Sequence, residues 1–303
     1  MKESSVIVYD GQLRRNILPE LGQTKVRDMD RGVIKHFLVG LRQRFSPAYT
    51  KQASATLSGL LNSAVDDGLL VANPMAGLSR KLKLGRSKGE HRDIKAFTRE
   101  QRDLFLATAK CEASQFHYTQ FLTLFMTGLR PGESFGLEWD DIDWSAGRFH
   151  VQRTVGEKTG KDGTPKTGLS RDVDMNRELA DALRRWKVHQ AEVALKGGSR
   201  TRPRRVFPTT QAKTAAEAAR DAFKRVLKKA GLPGHFTPHC CRHSYASILL
   251  SENGSRLLYV QEQLGHASIQ ETVDTYGRWL RKDGSGAVES LSTSGFKLVV
   301  ANR

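Results

Sequence analysis

The 303-residue sequence is short of cysteine, with only Cys111, Cys240 and Cys241, an odd number of which two are adjacent. That is not a disulfide framework. Adjacent cysteines project in different directions from a helix, and no second ligand pair stands elsewhere at zinc-site spacing. His239, Cys240, Cys241 and His243 therefore read as no metal site, the cysteines as small packing residues. Long apolar runs are missing as well: none approaches the roughly 20 residues that span a bilayer. Nor does the N-terminus carry a basic, then apolar, then small-residue signal. These absences argue against secreted disulfide scaffolds and membrane spans, and the expected location is cytoplasmic. Acidic residues are the third shortage, 32 Asp and Glu against 49 Lys and Arg, for a formal charge of +17. A surplus that large concentrates polyanions, of which nucleic acid is the commonest.

What is present is the composition of a soluble globular protein, 38% hydrophobic and 27% charged, in a chain long enough for two domains. Residues 1–85 read as a helical domain. Val6, Tyr9, Leu13, Ile17 and Leu18 keep a helical period that stops at Pro19. Asp30 caps a second helix with the apolar stripe Ile34, Phe37, Leu38 and Leu41, and a third runs from about Pro47 to Asp67-Gly68. Arg14, Arg15, Arg42, Arg44 and Lys51 lie on the polar sides of these helices and are candidate contacts for a duplex; the plain alternative is a solvated basic surface. From Lys81 to Gly89 the chain turns basic and glycine/serine-punctuated, with Lys81, Lys83, Arg86 and Lys88 as further candidates. We read residues 86–96 as an interdomain linker.

A second domain over residues 97–283 opens on a capping box, Thr98 to Gln101. Phe116–Met126 reads as a buried helix that breaks at Gly128, so Arg130 falls at a turn and needs an anionic partner: Glu133 or a bound phosphate. Alternation from Arg148 to Met175 reads as a small antiparallel sheet with lysine-rich turns, Lys166 beside a tight one. Helices return from about Asn176 to Leu195 and from Ala215 to Ala230, with a short strand expected at Val206-Phe207. The fold class is thus mainly α with a small antiparallel β-sheet. Thr237-Pro238 starts a helix that sets His239 and Arg242, three apart, on one face. His266 and Tyr276 follow.

Arg130, Lys166, His239, Arg242, His266 and Tyr276 make a set with one chemistry in view. Paired guanidinium groups hold the non-bridging oxygens of a phosphodiester bidentately. A lysine can protonate a leaving oxygen, and a phenol beside cations and an imidazole can be made a nucleophile. The segments Thr127-Gly128-Leu129-Arg130-Pro131-Gly132-Glu133, Pro165-Lys166-Thr167, Thr237-Pro238-His239-Cys240-Cys241-Arg242-His243, Leu264-Gly265-His266-Ala267-Ser268 and Thr275-Tyr276 resemble, in that order, the signature of the tyrosine site-specific recombinases, the phage integrase family. The resemblance runs from about Phe97 to Leu280.

That resemblance implies a role for each residue. Arg130 and Arg242 would activate the scissile phosphate, with Glu133 supporting the first. Lys166 would be the general acid toward the 5′-hydroxyl, and His239 would accept the tyrosine's proton or hold a phosphate oxygen. His266 would contact the phosphate. Tyr276 would attack, leaving a 3′-phosphotyrosyl link without ATP, metal or other cofactor. It further implies that residues 1–85 are a SAM-like core-DNA-binding domain, which with the catalytic domain would clamp double-stranded DNA. A homotetramer on attachment or crossover sites is implied, with accessory DNA-bending or directionality proteins as possible partners. Residues 284–303, with the β-prone patch Phe296–Val300, would form a tail exchanged between protomers. The readings competing with integration or excision of a mobile element are DNA relaxation of the type IB topoisomerase kind and non-catalytic DNA binding on the same fold.

Overall fold

The computed structural model describes residues 3–82, 94–156, 159–165, 168–199, 201, 203–208, 212–251 and 257–279. The chain divides into two compact units, 1–91 and 92–303. Lys83 just ahead of the expected linker, Arg86 and Lys88 within it, Lys166, and the expected tail 284–303 lie outside the described residues.

In the first unit, α1 (Glu3–Gln12) runs into a π-helical turn, Leu13–Ile17, and then α2 (Leu18–Leu21). The helix does not stop at Pro19. Pro19 occupies the first turn of α2, where its missing N–H breaks nothing that the π turn has not already interrupted. Next come α3 (Arg31–Arg44), capped by Asp30 accepting from the Val33 N–H, α4 (Pro47–Asp66) and the single turn α5 (Leu78–Lys81). Ile34, Phe37, Leu38 and Leu41 of α3 meet Leu57 and Leu61 of α4 and Ile17 and Leu21, forming this unit's core. Arg14, Arg15, Arg42, Arg44, Lys51 and Lys81 are all exposed. Three of them also serve the fold: Arg14 pairs with Asp10 at 2.7 Å, Arg42 donates to the Leu82 carbonyl at 2.8 Å, and Arg44 pairs with Glu20.

The second unit begins with α6 (Arg99–Glu112), on which the Thr98–Gln101 capping box closes, followed by α7 (Gln115–Thr127) and α8 (Pro131–Gly136). Five short strands follow: β1 (Ile142–Asp143), β2 (Arg148–Val151), β3 (Thr154–Val155), β4 (Asp162–Gly163) and β5 (Arg171–Asp174). They form two sheets rather than the single one expected, an antiparallel β1-β2-β5 sheet and a β3-β4 pair. The break falls at Gln152-Arg153, where both side chains turn to Asp141, at 2.9 and 2.6 Å, and leave the ladder. Phe149 pairs with Val173, and both are fully buried.

The remaining helices are α9 (Arg177–Lys196), α10 (Ala212–Lys229), α11 (Pro238–Ser251), α12 (Leu257–Leu264) and α13 (Ile269–Tyr276). Val206-Phe207 is not a strand. Only Arg205 forms a bridge, to Glu138, and the two apolar residues are buried because they plug the main core. That core is rich in phenylalanine: Phe97 stacks on Phe236 and meets Phe125 and Phe223 edge-on. Aromatic contacts of this kind fix the segment before α6, α7, α10 and the residues leading into α11 against one another. A smaller cluster of Ala246, Leu250, Val260, Leu264 and Tyr276 joins α11, α12 and α13. No helix among the described residues is long and apolar enough to cross a membrane.

Candidate active site

Helix α7 ends where Gly128 takes a left-handed backbone, φ +63°. A Cβ there would lie 2.6 Å from the Tyr245 ring, so the site requires glycine on both counts. The turn exposes the Gly128 carbonyl, which accepts from Arg242 Nη1 at 2.9 Å, while Arg242 Nη2 donates to the Leu264 carbonyl at 2.6 Å. Arg242 is 2% exposed. Two carbonyls at two helix ends thus fix the plane of a guanidinium that still has N–H groups for an anion. Burial, with Arg130 nearby, lowers its pKa to about 10, which leaves it fully charged at neutral pH.

Arg130 precedes α8 and is organised by Glu133, one turn on. The Glu133 carboxylate accepts from the Arg130 backbone N–H at 2.9 Å and from its Nη1 at 2.8 Å. Sequence reading offered Glu133 or a phosphate as Arg130's partner; the carboxylate is in place. It also holds a second arginine that sequence reading missed. Arg171 of β5 donates to both Glu133 oxygens, at 3.1 and 2.8 Å, and its Nε donates to the Gln263 carbonyl at 2.9 Å. Burial opposes the Glu133 charge, but Arg171 and then Arg130 outweigh it and bring the carboxyl down to about 2. One carboxylate therefore joins α8, β5 and, through Arg171, the end of α12.

Gly265, just past α12, makes room for that arginine. Its φ is +64°, and a Cβ would fall 2.7 Å from Arg171 Cδ. Gly265→Ala is expected to cost about 1–2 kcal/mol from the backbone alone, and more from displacing Arg171. A thermal melt should register this at about 2–4 °C per kcal/mol; an unchanged Tm would mean that neither constraint operates.

Tyr276 ends α13 and is 1% exposed. Its hydroxyl lies 2.8 Å from His243 Nδ1. Its ring is nearly parallel to that of His266, 5° and 6.0 Å apart, and Trp279 covers it at 5.8 Å. Burial pushes the phenol up to about 12, against the pull of Arg242 and Arg130. His266 Nδ1 is 2.8 Å from Thr272 Oγ1. Burial first, then Arg242, Arg130 and Arg171, hold this imidazole near 3, so it is neutral until a phosphate brings negative charge. His239 is exposed at the start of α11, its ring edge-on to His243 at 4.9 Å. It borders a cleft of about 360 Å³ with Pro131, Gly132 and Arg220.

Of the six residues expected to act, Arg130, Arg242, His266 and Tyr276 converge, and His239 stands at the rim. Lys166 lies outside the described residues. Arg171 and His243 are additions. His243 had a sequence signal, being four residues from His239 and so on the same helix face; Arg171 looked like one more polar residue of an alternating strand. Cys240 and Cys241 are buried, and no group of three or more His, Cys, Asp or Glu among the described residues could hold a metal.

The site's residues fall within a match to the phage integrase family over residues 95–281. A XerC-like tyrosine recombinase of Caldanaerobacter subterraneus subsp. tengcongensis is 31% identical over 96% of this chain and 78% of its own length. The ICEBs1 integrase of Bacillus subtilis is 31% identical over 73% of this chain, which spans 59% of that relative. Among solved structures, the Tn1549 transposon integrase in complex with a circular intermediate DNA superposes with a TM-score of 0.74 at 21% identity, covering 96% of this chain and 94% of that one. A lambda integrase tetramer bound to a Holliday junction gives 0.66 at 19% identity, over 89% and 74%. The chain belongs to the phage integrase family and is a tyrosine site-specific recombinase.

Proposed function

We propose that this recombinase cuts and rejoins double-stranded DNA through Tyr276, moving a mobile element or prophage into or out of a DNA site. The carrying observation is the convergence of the Tyr276 phenol with two guanidinium groups whose planes are fixed by Gly128, Leu264 and Glu133. A phosphodiester held by Arg130 and Arg242 would present its phosphorus to the phenol. Preorganised donors at the non-bridging oxygens stabilise the charge gathered there in the trigonal-bipyramidal transition state, about 3–4 kcal/mol for each. The Tyr276 oxygen bonds to phosphorus as the bond to the 5′-oxygen breaks, with Lys166 the proposed proton donor to that leaving group. The phosphotyrosyl ester conserves the bond for attack by a second strand's hydroxyl. His266 would hold a phosphate oxygen as a neutral donor. No step in this scheme calls for a metal.

The exposed arginines and lysines of the first unit suit the phosphate backbone, a sequence-independent attraction that falls with salt. A tetramer on DNA is proposed from the likeness to the lambda integrase tetramer, and exchange of the 284–303 tail between protomers from the family resemblance alone. The test is covalent capture. The protein is mixed with a library of nicked duplexes of random sequence, denatured, and the DNA that stays attached is sequenced. A phosphotyrosyl peptide containing Tyr276 and a recurrent flanking sequence are expected; no attached DNA at any salt concentration would overturn the reading.

A further inference from the structure

We propose that His243 is the general base that takes the Tyr276 proton, one of the two roles that the family resemblance offers His239; the proposal rests on the recombinase reading above. His243 Nδ1 and Tyr276 Oη are 2.8 Å apart, which is proton-transfer distance. The role requires one tautomer: with the phenol O–H donating, Nδ1 carries the lone pair and Nε2 the hydrogen. His243 is only partly buried, and its α11 neighbour Arg242 is one residue away in the phosphate cradle. Base, nucleophile and electrophile site are thus set by one helix and the end of another.

The need for a base follows from the surroundings. In a cluster with Leu250, Val260 and Leu264, a phenol held near 12 is ionised in only about one molecule in 10⁵ at pH 7. The charged and titratable groups around the pair are His239 on α11, His266 beyond α12, Arg242 and Arg130 at the cradle, and Glu271 on α13. The arginines favour the phenolate and disfavour an imidazolium that lasts. A transfer concerted with attack suits both. In the forward step the Oη–H bond breaks as Nδ1–H forms, Oη bonds to phosphorus, and the P–O5′ electron pair leaves with the 5′-oxygen. In resealing, Nδ1–H returns its proton to Oη as the phosphotyrosyl bond breaks. His239, edge-on to His243 at 4.9 Å, supports the ring without touching the phenol in this scheme.

His243→Gln separates basicity from positioning, because the amide oxygen can still accept from Oη but cannot take its proton. Adduct formation on the nicked substrate captured above should slow by about 10²-fold or more at pH 7.5 with an unchanged melting temperature. The rate should then climb with pH up to about 10, where wild type has levelled off. Replacing Tyr276 by a difluorotyrosine, a stronger acid, should restore much of the rate in the variant and little in wild type. His239→Gln should keep the wild-type pH profile. A His243→Gln protein that is as fast as wild type, or faster, would make the contact a resting latch and overturn the assignment. So would a slow variant with a flat pH profile and no gain from fluorination. Wild type forming no adduct would instead sink the recombinase reading itself.

Discussion

Tyr276→Phe is expected to bind DNA as wild type does and to form no covalent complex. Phenylalanine keeps the ring that lies parallel to His266 and under Trp279, so the end of α13 should stay packed. The lost hydroxyl leaves His243 without its 2.8 Å partner, at about 0.5–1.5 kcal/mol for the hydrogen bond and a melting point lower by a few degrees. Chemistry suffers far more. Removing a nucleophile has cost on the order of 10⁶-fold where it has been measured, which puts adduct formation below detection. The other phenols nearby are poor substitutes. Tyr259 donates to Asp174 at 2.8 Å, and burial, then that carboxylate, raise its pKa to about 12. Tyr245 is raised further still by burial and directs its hydroxyl at Gln263. DNA binding by the variant should match wild type in filter retention at each salt concentration, since phosphate contacts are assigned to arginine and lysine. A denaturation-resistant complex from Tyr276→Phe would place the nucleophile elsewhere.

How much of this site the sequence displays depends on whether a residue's job is local. Gly128 and Gly265 mark left-handed turns, and those turns place Arg130 and His266 beside helix ends, so both were legible from spacing. The caps at Asp30 and Thr98 were legible for the same reason. Long-range partners were not. Nothing near Arg171 in the chain indicates that it will reach back to Glu133, 38 residues earlier, and across to Gln263, 92 residues later. The split of the sheet was hidden likewise, since it depends on Asp141 drawing Gln152 and Arg153 out of a pattern that alternates well. Pro19 misled in the other direction: a residue that ends ordinary helices is accommodated by a π turn. Val206-Phe207 reads as β because the pair is apolar, yet burial in the core accounts for the apolarity without a ladder. His243 ends the Thr237–His243 segment, and its importance emerges only when α13 folds back to bring Tyr276 onto it.

Glu133→Gln should be the most damaging change that leaves every phosphate-binding group present. Glu133 is 1% exposed and receives four N–H donors, two from Arg130 and two from Arg171. Glutamine offers one oxygen, sets an NH₂ against a guanidinium, and leaves Arg130, Arg171 and Arg242 crowded without their shared anion. Breaking a buried pair in this way costs about 3–5 kcal/mol, or about 10 °C in Tm for a unit of this size. Cleavage should fall by about 10²–10³-fold, the usual loss for one misplaced donor. The stability loss has a pH signature that distinguishes charge from packing. Glu133 titrates near 2 when folded against an ordinary 4.5, so between those values the unfolded chain binds a proton that the native one refuses. Its contribution is complete above about pH 5 and is lost as pH falls toward 2. The gap of about two and a half units corresponds to roughly 3 kcal/mol at 1.36 kcal/mol per unit. His266, also depressed, titrates in both proteins and drops out of the comparison. Urea unfolding at a series of pH values should therefore show wild type and Glu133→Gln well separated at pH 7 and converging below pH 4. Curves that stay parallel to pH 3 would mean that Glu133 holds the two arginines by shape alone and that its charge contributes nothing to the site.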